Sequence, residues 1–344
     1  MKKVLMIMMM SLLLGACSED SEQPIDMLQL SGVTRSSTSI IDAGEYQSPI
    51  QIFLMSGTSK TEGNFVYNPE TGKWSSTIGV KEQKNYIFGF SPSSAAAGTI
   101  SPITSGAADY SAGAVMTLDN LSAVGGEDLC VVVGVKGVTT EAAAGTPDFG
   151  TFYFEKQGTA NYVSLLLDHL YSAIEFKIKI GSKYNELRDI HLKKMELQSA
   201  KTVSKAIVTL TANTAGTNPI TSVSFMPTNE PQTNAVYDYG TDANTTTGLP
   251  LTAEGTKFVS YCAPIDGMGS SNLKLICTYD VYNKKGTKVR ENCVAENSLA
   301  GLSGLTIARG KKSVVNLTVE PTYLYQLSED ELDNPGIKLK VNSD

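Results

Sequence analysis

Residues 173–180, AIEFKIKI, alternate without a break: Ile174, Phe176, Ile178 and Ile180 fall on one side, Glu175, Lys177 and Lys179 on the other. A period of two is what a β-strand produces when one face covers a core and the other meets water. Similar segments recur along the chain. SPIQIFLMSG, GNFVYNPETGKWSS, NYIFGFSP, DLCVVVGVKGV and FGTFYFEKQ fill the first half; DIHLKKMEL, KAIVTLTAN, KFVSYCAPI, LKLICTYDVY and KSVVNLTVEP belong to the second. Clusters of Gly, Ser, Thr, Asn and Pro separate them, and no long amphipathic helical pattern intervenes. Many strands at short spacing predict an all-β chain of two tandem β-sandwich domains. A break near Gly158–Asn161, after FYFEKQG, divides them into a first domain over 36–158 and a second over 159–344. The stretch 222–248, SVSFMPTNEPQTNAVYDYGTDANTTTG, is polar and reads as loop-rich within the second.

The N-terminus has a different pattern. Met1, Lys2 and Lys3 form a short positive start, Val4 to Leu14 is apolar except for Ser11, and Gly15 and Ala16 are small. This is the layout of a secretory signal over 1–16. The apolar run has about half of the ~20 residues a membrane-spanning helix needs. Leu14, Gly15 and Ala16 ahead of Cys17 resemble the lipobox of lipoprotein signals, in which the thiol is acylated and becomes the new N-terminus. Each buried methylene of such acyl chains contributes ~0.8 kcal/mol to membrane attachment. Ser18, Glu19 and Asp20 resemble the surface-export signal of Bacteroidetes lipoproteins, which implies the outer face of the outer membrane.

Composition narrows the chemistry. With 41% apolar and only 18% charged residues, a net charge of −7 and a pI near 5.1, the chain has real cores and no basic patch for nucleic acid. Its two histidines, His169 and His191, are far apart and read as structural. No Cys–His cluster has metal-ligand spacing, and no GxSxG or phosphate-binding loop is present. The oxygen-rich runs YDYGTDANTTTG and SEDELDNPG do not match the EF-hand spacing. No metal, cofactor or enzymatic activity is therefore expected. Export permits disulfides, and LKLICTYDVYNKKGTKVRENCVAE folds as a hairpin about Lys285, with Gly286 free to take positive φ. That register sets Cys277 opposite Cys293, either as a disulfide or as two buried thiols. Nothing pairs Cys130 or Cys262.

In this order, the features resemble the fimbrillin family of Bacteroidetes, the subunits of type V pili. The matching features are the lipobox at Cys17, VTRSS at Val33 to Ser37, IQIF at Ile50 to Phe53, Phe65 and Tyr67 followed by Trp74, YIFGFSP, DLCVVVG, and SLLLDHLYSAIEFKIKI around His169. The resemblance implies transthyretin-like sandwiches and a precursor cut by a protease after an arginine or lysine. Here that position is Arg35, before Ser36, and the pro-segment 17–35 would carry away a first strand with Ile25, Leu28, Leu30 and Val33. The groove left behind would take a strand from the C-terminus of another subunit, so the implied partners are other fimbrial subunits. Arg35 is otherwise a plain surface arginine between strands. In NPGIKLKVNSD, Ile337, Leu339 and Val341 alternate with Lys338 and Lys340, which suits either a donor strand or an edge strand of the second domain. Burying those three side chains is worth roughly 5–9 kcal/mol before ordering costs. The competing reading is a glycan-binding surface lipoprotein of a polysaccharide-uptake system, against which the presence of a single Trp weighs mildly.

Overall fold

A computed structural model of the chain describes residues 27–35, 46–80, 83–104, 109–140, 149, 152–156, 161–212, 219–241, 247–265, 272–321 and 332–341. The signal 1–16, Cys17, Ile25 and Ser36 lie outside these residues.

The strands are β1 (Gln29–Arg35), β2 (Ile50–Ser56), β3 (Ser59–Asn68), β4 (Lys73–Ser76), β5 (Lys84–Ser91), β6 (Ala97–Pro102), β7 (Gly113–Asp119), β8 (Val124–Gly125), β9 (Cys130–Val138), β10 (Tyr153–Glu155) and β11 (Tyr162–His169). Then come β12 (Ser172–Ile180), β13 (Arg188–Ser199), β14 (Thr202–Thr211), β15 (Ile220–Thr228), β16 (Gln232–Asp238), β17 (Leu249–Pro250), β18 (Thr256–Cys262), β19 (Leu273–Asn283), β20 (Lys288–Ser298), β21 (Lys312–Glu320) and β22 (Gly336–Val341). The chain is all-β, and its sheets pack face to face.

An eight-stranded sheet runs β1-β11-β9-β5-β2-β3-β4, with β10 on β5, and one face packs on a second sheet of order β15-β14-β7-β6. Phe53, Met55, Phe88 and Phe90 enter that shared core together with Met116, Leu118, Val208 and Leu210. The other face curls upon itself. Met27 bridges to Gly79 just beyond β4, and the Leu28 amide donates to the Ile78 carbonyl at 2.7 Å, so the two ends of the sheet meet. Ile50, Ile52 and Leu54 point into this rolled interior, which is why IQIFLM is apolar on both faces instead of alternating.

The second sandwich packs β22-β21-β12-β18-β8 against β16-β13-β19-β20, with β17 on β13. As the alternation of AIEFKIKI requires, Ile174, Phe176, Ile178 and Ile180 are all in its core.

Three expectations are corrected. A domain break at 158/159 does not divide the sheets: β11, β14 and β15 lie beyond it yet complete the first sandwich, and β8 lies before it yet joins the second. Periodicity reports that a strand buries one face, not which sheet that face meets. The stretch 222–248 is not mainly loop, because β15 and β16 occupy much of it. An edge strand such as β15 buries little beyond its Ile220, Val223 and Phe225 contacts, so its other positions are free to be Ser, Thr and Met and resemble a loop. Finally, Cys277 lies opposite Ala295, and Cys293 opposite Tyr279. The hairpin closes as expected, with Tyr282 across from Lys288 and Gly286 at φ +77, but two register shifts beside Val281 move the outer pairs by two residues. Neither is in a disulfide, nor are Cys130 and Cys262; all four are buried, and burial pushes the Cys262 and Cys277 thiols up to about 12.

Candidate functional site

β1 sits at the seam of the rolled sheet. Among the described residues it pairs with one strand, β11, in parallel, from Gln29 opposite Tyr162 to Arg35 opposite Leu167. On its other side, the contacts of Met27 and Leu28 with Gly79 and Ile78 hold just its beginning. Leu28 and Leu30 are fully buried in the rolled interior against Val163, Leu165 and Phe65, and Val33 packs at its margin. Burying two leucines stabilises the seam by about 3–6 kcal/mol. The Gln29 amide donates to the Asn161 carbonyl at 2.9 Å, and the Asn161 side chain donates to the Met27 carbonyl at 2.5 Å. Arg35 is the last residue of the strand.

Without β1, the N–H and C=O groups along one side of β11 would face water, beside an apolar slot lined by Val163, Leu165, Ile78 and Phe65. Both are unfavourable, and an added strand relieves both.

The C-terminal segment forms β22 at the edge of the second sandwich. It is antiparallel to β21, with Ile337 opposite Val319, Leu339 opposite Leu317 and Val341 opposite Val315. Ile337 and Val341 are buried, Leu339 is half-buried, and Lys338 pairs with Glu320 at 2.8 Å. The approach to β22 is pinned as well: the Tyr279 hydroxyl donates to the Pro335 carbonyl at 2.6 Å, and Arg188 pairs with Asp333 at 2.7 Å. The alternation seen in the sequence is thus used at home, within the same chain.

The two histidines lie in different sandwiches. His191 of β13 stacks on Tyr282 with ring centroids 4.4 Å apart. His169 ends β11 and precedes β12, and it meets Asp128 and Cys130 there. Among the described residues this is the one group of three metal-ligating side chains. It escapes a motif search because strand pairing, not sequence spacing, assembles it. The local signal was Asp128-x-Cys130, two residues on one face at the entry to a strand.

No family model and no curated protein sequence matches the chain. Solved structures resemble it in overall course. A fimbrial protein from Bacteroides vulgatus is 12% identical, with 92% of this chain and 98% of that one covered at a TM-score of 0.41. A candidate cell adhesion protein from Bacteroides uniformis is 12% identical, with coverages of 93% and 98% and a TM-score of 0.38. A candidate polysaccharide-binding protein from Bacteroides thetaiotaomicron is 9% identical, with 88% and 99% covered at 0.31.

Proposed function

We propose that the chain is a structural or accessory subunit of a surface fimbria, delivered as an outer-membrane lipoprotein through Cys17 and assembled by strand exchange at the β1 seam. The observation that carries this reading is the position of β1: the first described strand, with one strand neighbour among the described residues, ending on an arginine. Cleavage after Arg35 would leave the segment 17–35 held by non-covalent contacts alone. Its loss would open the slot beside β11. A strand with the alternation of Ile337, Leu339 and Val341, supplied by another copy or a related subunit, matches the slot chemically. Adhesion follows from the polymer that such exchange builds.

In this reading the lipid on Cys17 tethers the precursor and leaves with β1. Replacing Arg35 with Ala should keep the chain monomeric on the cell surface, while the native chain forms detergent-resistant ladders and its mature N-terminus is Ser36. Ladders that persist in Arg35→Ala would overturn the proposal.

A further inference from the structure

His169 of β11 is the direct cross-strand partner of Cys130 of β9, so their side chains leave the sheet on the same face. Asp128 precedes Cys130 by two residues and shares that face. The backbone register alone therefore gathers a carboxylate, a thiol and an imidazole. His169 and Cys130 are fully buried, and the Asp128 side chain is 6% exposed. The three ligand atoms converge: Asp128 Oδ2 lies 2.5 Å from His169 Nδ1, Cys130 Sγ lies 3.4 Å from the same nitrogen, and Sγ lies 3.5 Å from Oδ2.

We propose that Asp128, Cys130 and His169 form a binding site for a zinc-class divalent cation at the junction of the two sandwiches. Thiolate, imidazole and carboxylate are the donors that zinc takes in protein sites. Tetrahedral zinc at ordinary bond lengths sets sulfur about 3.5 Å from its nitrogen and oxygen neighbours, which the two sulfur distances already match. Only the Nδ1–Oδ2 separation must widen, by about 0.8 Å, to reach the tetrahedral value. It is short because the two atoms share a hydrogen bond. The thiol lies within reach of the same carboxylate oxygen as the imidazole nitrogen, so the three donors converge on one point. A cation at the common centre satisfies all three, and water or the second Asp128 oxygen supplies the fourth position.

The protons balance simply. On binding, the imidazole carries its proton on Nε2, which has no hydrogen-bond partner among the described residues, and the thiol proton is released. Affinity therefore rises with pH.

Three residues after His169 the chain enters the second sandwich at β12. The adjoining Asp168 pairs with Arg309 at 2.9 Å, the Gly310 amide donates to the Tyr171 carbonyl at 3.0 Å, and the Gly310 Cα side abuts the His169 Cβ. An ion held here fastens the end of β11 where the two sandwiches join. The inference is independent of the fimbrial reading.

The test uses the full chain, stripped with chelator and titrated separately with Zn²⁺ and Co²⁺. One ion per chain is expected, with a thiolate-to-cobalt charge-transfer band and a tetrahedral cobalt spectrum. Cys130→Ser should abolish the band, and His169→Gln should weaken zinc binding by about 10- to 100-fold or more. Cys277→Ala should change neither. The spectrum of the native chain decides the matter even where a variant fails to fold. Absence of the thiolate band there, or its persistence in Cys130→Ser, would refute the site.

Discussion

Asp280 shows how one side chain ties a hairpin to its neighbour. Its carboxylate is 3% exposed, accepts the Asn292 amide at 2.8 Å and pairs with Lys288 at 2.8 Å, with Lys193 4.0 Å away. Burial acts to raise its pKa, but the Lys288 and Asn292 hydrogen bonds and the two lysine charges outweigh it and hold the group below the ordinary 3.8. A depressed carboxylate pKa means that its stabilisation is complete above that value and is lost as pH falls below it. Asp280→Asn should cost about 1–3 kcal/mol at pH 7 in urea unfolding, with a smaller deficit at pH 3. An equal deficit at both pH values would rule out the ionised carboxylate as the cause. The sequence does not reveal this contact. Asn292, at φ +51, lies in the irregular stretch of β20 that also moves Cys293 off Cys277, and such bulges have no reliable sequence signature.

At the scale of elements, strands with a buried stripe were legible and strands without one were not. Alternation identified β12 and β22, and the apolar run over Ile50 to Met55 identified β2. β15 was concealed because an edge strand leaves its positions exposed or half-buried, so no apolar stripe marks it. Edge position is also what makes β22 separable. A chain ending at Pro335 should lose stability in its second sandwich and regain it on adding a peptide of residues 336–344, read as a rise in melting temperature. The same peptide carrying Ile337→Asp should fail, since Ile337 is buried against the core. If the native peptide gives no recovery, β22 does not act as a transferable strand.

For the whole molecule, the all-β class and the two sandwiches could be read from the chain, but their interleaving could not. Strand patterns do not encode long-range pairing, so the turn-rich region near 158 looked like a boundary. Cutting there strands β11, β14 and β15 on the wrong side of their own core, including Leu165, Val208 and Leu210. A fragment of residues 36–158 should therefore lack a cooperative unfolding transition, whereas the full chain should unfold with both sandwiches coupled. A fragment that melts cooperatively by circular dichroism would show that the first half stands alone.

The interleaving has a mechanical consequence. The connections β7–β8, β8–β9, β11–β12, β13–β14 and β15–β16 all pass between the two sandwiches, each through two to four residues. A hinge needs a single pliable joint, and five short parallel tethers do not make one. Tension applied across this molecule is divided among all five, so it stretches as a rod before either half can swing or peel away.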